Sequence, residues 1–140
     1  RVLASGKIIT GFDILKVLAI GADACYSARG MMLALGCIQA LQCDSGHCPV
    51  GIATQDPHLY QGVNVADKRV RVANYHRNTM AALAELMGAC GFASAEKVNP
   101  AALFRRITRT DIRSYAEIYA PDHSNTAGAG LFPGPSINNN

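Results

Sequence analysis

The chain has 140 residues, 49% of them hydrophobic and 16% charged, and a formal net charge of +3 at pH 7. That is the length of one ordinary domain, and so small a charge, with no basic residues interleaved with aromatics, gives no case for a nucleic-acid partner. The longest charge-free apolar run, residues 30–41, falls well short of the roughly 20 residues that a membrane-spanning helix requires.

Arg1 opens directly on an apolar segment with neither an initiator methionine nor a secretory pattern, so the chain reads as a piece of a larger protein in the cytoplasm. Val2, Leu3 and Ala4 form a short strand that stops at Ser5-Gly6-Lys7. Ile14, Leu15, Val17, Leu18 and Ile20 then mark an amphipathic helix that ends at Gly21. Asp13 sits near its start, where a carboxylate complements exposed amides and the positive end of the helix dipole. Residues 24–28 form a second strand, and a buried helix follows from Gly30. Strand, helix and strand in so short a stretch require parallel strands with a crossover helix. Apolar strands covered by helices belong to an α/β barrel or a doubly wound sheet, and two strands are too few to close either.

Both strand ends carry small residues and then a helix: Ser5-Gly6-Lys7 after the first, Ser27-Ala28-Arg29-Gly30 after the second. A helix N-terminus offers free N–H groups to an anion, and glycine lets the backbone approach a phosphate. In α/β barrels the loops after the last two strands often bind phosphate. The plainer reading is two ordinary glycine turns with Lys7 and Arg29 as solvated charges.

Cys37, Cys43 and Cys48 follow with the spacing C-x5-C-x4-C. On one continuous helix, Cys37 and Cys43 would point about 120° apart, so the helix is expected to end near Leu41 or Gln42, ahead of the turn-forming Asp44-Ser45-Gly46-His47 and Pro49. Three thiolates with a proline after the last suit an iron–sulfur cluster. A zinc site would need a fourth ligand, and His47, adjacent to Cys48, is poorly placed to supply it. Unligated cysteines are the third reading. Disulfides are disfavoured by an odd count of five and the lack of a secretory segment. Cys25 and Cys90, in apolar surroundings, read as inert packing residues.

Beyond the cysteines, residues 64–91 carry Val70, Ala73, Met80, Leu83 and Met87 at helical spacing, with Lys68, Arg69, Arg71 and Arg77 off that stripe as a solvated face. Shorter helices are expected over residues 100–108 and 111–119. From Pro121 the composition collapses to Gly, Asn, Ser, Pro and Thr, a tail with nothing to bury and expected to be disordered.

The stretch SGKIITGFDILKVLAIGADACYSARGMMLALGCIQALQCDSGHCPVGIATQDP resembles the end of the FMN-binding domain of glutamate synthases, most closely the stand-alone members that lack an amidotransferase domain. The likeness is strong over residues 1–57, a looser echo continues through DKRVRVANYHRNT and LAELMGACGF, and the tail shows none. The resemblance implies an α/β fold, namely the last two βα units of a TIM (β/α)8 barrel, followed by a helical segment over residues 58–120 and the tail over 121–140. It implies that Ser5, Gly6 and Lys7, with Ala28, Arg29 and Gly30, line the FMN phosphate. It further implies that Cys37, Cys43 and Cys48 hold a 3Fe-4S cluster. Electrons from ferredoxin or an NAD(P)H-oxidising subunit would pass through the cluster to FMN. The flavin would then reduce the imine formed from 2-oxoglutarate and glutamine-derived ammonia, yielding glutamate. Where many relatives have His-Thr-Asn after the second cysteine, this chain has Asp44-Ser45-Gly46; Asp44 either lowers the cluster's potential or caps the turn.

Two other functions fit the residues: a zinc-stapled structural module, and a related flavoprotein acting on another keto acid or amine. Lacking most of a barrel, the chain by itself is expected to be inactive.

Overall fold

The computed structural model describes residues 1–119. The tail expected from Pro121 onward lies outside the described residues.

The chain begins as two βα units. β1 (Leu3–Ala4) and β2 (Ala24–Cys25) are parallel neighbours, with Leu3 opposite Ala24 and Ala4 opposite Cys25. Between them runs α1 (Gly11–Ala19). A capping box starts it: Thr10 Oγ1 accepts from the Asp13 N–H at 3.2 Å, and Asp13 Oδ2 accepts from the Thr10 N–H at 2.9 Å. Gly21, at φ 105°, ends it. The Gly21 N–H reaches the Leu18 carbonyl and the Ala22 N–H the Val17 carbonyl, both at 3.0 Å, which is the Schellman closure that only a residue tolerant of the left-handed region permits. The parallel pair and its crossover helix match the α/β expectation. Among the described residues these two strands are the whole parallel sheet.

α2 (Ala28–Leu35) follows β2 at once. It ends earlier than expected: Gly36, again left-handed, closes it, with the Gly36 N–H to the Leu33 carbonyl and the Cys37 N–H to the Met32 carbonyl, both at 3.0 Å. The end expected near Leu41 or Gln42 is too late, because the left-handed Gly36 stops the helix after Leu35. Cys37 therefore lies just outside the helix, fixed by its own backbone hydrogen bond. α2 is also less covered than expected, since only Gly30 on it is buried.

After the short α3 (Pro57–Tyr60) comes α4 (Val65–Ala89), capped by Asn64 and packed against both α1 and α2. The helix is where the sequence places it, but only part of its expected inward face is: Leu83 and Met87 pack into the core, whereas Val70, Ala73 and Met80 are exposed. Val70 and Met80 are 51% and 43% exposed, while Val72, Tyr75, Thr79, Leu83, Leu86 and Met87 turn inward. Counting only apolar residues hid that face, because a tyrosine and a threonine carry its middle. Leu15, Leu18 and Ala19 of α1 meet Leu83 of α4, Val98 and Leu103 in the core.

The remainder corrects the expectation of further helices. Residues 100–108 and 111–119 are not two helices. A 3₁₀ turn (Pro100–Ala102) leads into β3 (Phe104–Arg106), which pairs antiparallel with β4 (Ile112–Ser114). Thr108 Oγ1 accepts from the N–H groups of Thr110 and Asp111, at 3.3 and 3.0 Å, and closes the hairpin turn. Threonine and aspartate favour such local bonds over a helix interior. Apart from that 3₁₀ turn, only α5 (Tyr115–Ile118) in this stretch is helical, started by a Ser114–Glu117 capping box.

Candidate cofactor and metal site

Because β1 and β2 run parallel side by side, the loops that leave them emerge at the same edge of the sheet. In the first, Ser5, Gly6 and Lys7 are all exposed. Gly6 has φ 110° and Lys7 φ 54°, two successive left-handed residues. A lysine there carries about 1 kcal/mol of strain, and a Cβ on Gly6 would meet nothing within 4 Å. The loop is thus open to solvent and held in an uncommon shape.

The second loop is the N-terminus of α2. α1 and α4 have side-chain caps on their first-turn amides, whereas Ser27, the N-cap residue of α2, makes no such bond. Its hydroxyl donates instead to the Ile8 carbonyl at 2.7 Å. The amides of the first turn, with Ala28 and Arg29 beside them, are left for an external acceptor. Gly30 is different: a side chain there would strike the Tyr75 hydroxyl, so its missing Cβ is accounted for by α4. Open glycine loop, uncapped helix start and two cations at one edge fit the phosphate of a bound flavin.

The cysteine loop starts where α2 stops. The Gln39 N–H points at Cys37 Sγ at 3.4 Å, and Gln39 and Leu41 are left-handed at φ 59° and 57°. Cys37 and Cys43 line one cavity of about 260 Å³ together with Ala28, Arg29, Met32 and Leu33. One face of α2 thus joins the end of the loop after β2 to the two thiols. Cys48 is not among the lining residues. It is buried, at 7% exposure. The Ala53 N–H, helped by those of Val50, Ile52 and Gly51, faces its sulfur and lowers the thiol's pKa against the opposing push of burial. Among the described residues, no three His, Cys, Asp or Glu side chains converge on one ion position. The donor chemistry of three thiols, one of them pre-disposed to ionise, fits an iron–sulfur cluster; the structure brings two of the three into one cavity.

His47 turns its ring back on its own loop, Nδ1 lying 2.8 Å from the Ser45 carbonyl. The turn is tied by Ser45 Oγ, which donates to the Gln42 carbonyl at 3.1 Å and accepts from the His47 N–H at 3.3 Å; Asp44 plays no part in these bonds. Of the two remaining cysteines, Cys90 packs against the core and burial pushes the Cys25 thiol up, in line with packing roles. Tyr75 is the site residue that sequence reasoning missed, and only its helical register with Val72, Thr79 and Leu83 pointed to it.

Fold and site together define a βα-repeat segment of the α/β class with an anion-ready loop pair and a thiol loop. Residues 1–93 match the family model described as a conserved region in glutamate synthase, and the chain belongs to the glutamate synthase family, a family of oxidoreductases. It is 44% identical over 94 residues to the glutamate synthase large subunit-like protein YerD of Bacillus subtilis, covering 67% of this chain and 18% of that protein. It is 39% identical over 97 residues to the archaeal glutamate synthase (NADPH) of Methanocaldococcus jannaschii, covering 69% and 19%. To the glutamate synthase (NADH) of Saccharomyces cerevisiae it is 31% identical, covering 69% and 4%. The chain therefore spans less than a fifth of the length of these relatives. No helix among the described residues is long and apolar enough to cross a membrane.

Proposed function

We propose that this chain is the flavin- and cluster-holding end of a glutamate synthase-type barrel, working within a protein that forms glutamate from 2-oxoglutarate and glutamine-derived ammonia. The observation that supports it most is the shared cavity of Arg29, Cys37 and Cys43, which links the loop after β2 and the thiol loop at the two ends of one short helix. An eight-residue helix is about 12 Å long, so the two loops are near neighbours.

FMN would supply hydride chemistry here, and a 3Fe-4S cluster the delivery of single electrons. The chain's own residues have narrower tasks. Lys7 and Arg29 would neutralise a phosphate dianion, while Ser5, Gly6 and the amides of Ala28, Arg29 and Gly30 would bond its oxygens. Cys37, Cys43 and Cys48 would act as thiolate ligands. The backbone N–H groups of residues 50–53 beside Cys48 would stabilise negative charge on its sulfur. Electrons would come from ferredoxin or from NAD(P)H through a partner subunit or domain.

The complete protein that carries this chain provides the test, supplied with 2-oxoglutarate, glutamine or ammonia, and a chemical reductant. Glutamate formation, with FMN released on denaturation, is the expected result. Absence of flavin, or turnover only with a different keto acid, would refute this reading.

A further inference from the structure

We propose that Tyr75, on α4, is a positioning residue for the phosphate end of the flavin, acting by locking the loop after β1 to the loop after β2. The inference rests on the FMN reading above.

Three contacts carry it. The Tyr75 hydroxyl donates to the Ile9 carbonyl at 2.5 Å, across 66 residues of chain. The Ser27 hydroxyl donates to the Ile8 carbonyl at 2.7 Å. The two hydroxyl oxygens lie 3.4 Å apart, and each has its single hydrogen committed to a carbonyl, so they pack together as one pin. Both carbonyls directly follow Lys7, whose left-handed backbone would relax toward more favourable conformations if the chain after it were free. Ile8 itself is only 3% exposed, which fixes the loop from its other side.

The same pin sets the second loop. Ser27 is the residue that would ordinarily cap α2; directing its hydroxyl to Ile8 leaves the α2 amides open. Gly30 completes the fit, because any side chain there would collide with the Tyr75 hydroxyl and push α4 away from α2. A buried tyrosine usually finds some partner for its hydroxyl; what distinguishes Tyr75 is where its partner lies. Tyr75 joins the carbonyl next to one phosphate loop to the cap residue of the other. It touches the cofactor through neither contact, which makes it a positioning residue and not a catalytic one.

The test uses the complete protein carrying this chain, freed of flavin, in wild-type, Tyr75→Phe and Ser27→Ala forms. Dissociation constants are measured for FMN and for riboflavin, which lacks the phosphate. The wild type is expected to prefer FMN. Losing one such hydrogen bond is expected to weaken FMN about five- to tenfold while riboflavin changes within about twofold, so that the preference for FMN falls in both variants. Should Tyr75→Phe fold poorly, Ser27→Ala breaks the same pin from the loop side. Equal weakening of both flavins, or an unchanged preference, would overturn the proposal and leave Tyr75 a packing residue. A wild type that binds neither flavin would instead overturn the FMN reading on which it rests.

Discussion

Gly11 lies directly on the backbone of α4: a Cβ there would stand 2.7 Å from the Leu83 amide nitrogen and 2.9 Å from the Thr79 carbonyl oxygen. Those atoms belong to a helix and cannot swing aside. The contact seats α1 against α4 and so holds the first βα unit in the core. Gly11→Ala is expected to destabilise the protein by about 1–3 kcal/mol, as overpacking does, although alanine is the better helix former. Thermal unfolding checks it; an unchanged or raised melting temperature would show that the two helices separate easily.

Asp13 predicts an acid sensitivity with a definite sign. Its carboxylate pairs with Lys16 Nζ at 2.7 Å and accepts from the N–H groups of Thr10 and Ile9. The Lys16 contact first, and then those bonds, hold its pKa well below the usual carboxylate range despite partial burial. The unfolded chain binds its proton near pH 4, the folded chain only at much lower pH. The stabilisation is therefore complete above the unfolded value and fades as pH falls below it. Asp13→Asn is expected to remove that part of the acid dependence and to be less stable than wild type at neutral pH, by about 1 kcal/mol. Unfolding curves between pH 3 and 7 would show the two proteins converging toward acid; parallel curves would speak against the assignment.

Gly36 holds the hinge between helix and thiol loop. Its φ of 105° places Cys37 by the bond to Met32, and a Cβ on it would sit 3.4 Å from Lys68 Nζ. Gly36→Ala is expected to cost about 1 kcal/mol and to lower iron content per chain while flavin content holds. Gly36→Asn, better tolerated in the left-handed region, is expected to fall between. Iron and flavin assays on the complete protein decide it, and equal iron in all three would detach the hinge from metal binding.

The parts of the fold written in local chemistry are legible in the sequence. Asp13 marks the start of α1 and Gly21 its end, and two apolar strands around it imply a parallel pair. What escapes is set by contacts distant in sequence. Tyr75 is a pin only because Ile9 and Ser27 lie beside it, and Val70 looks like core until α4 is rotated against α1 and α2. The β3–β4 hairpin is hidden because Arg105 and Arg106 suit a helix, while Thr108 and Asp111 decide locally for a turn. Gly36 is visible in the sequence, but an apolar run on both sides of it masks the helix end.

Cofactor loading separates the two roles assigned to the five cysteines. The most direct measurement is iron and acid-labile sulfide per chain, with EPR, in the complete protein purified without oxygen, for wild type and for each cysteine changed to serine. The wild type is predicted to hold iron and sulfide with the signal of an oxidised three-iron cluster. Cys37→Ser, Cys43→Ser and Cys48→Ser are predicted to lose it, while Cys25→Ser and Cys90→Ser keep it. Zinc at one per chain without sulfide, or a full cluster in Cys48→Ser, would contradict the account.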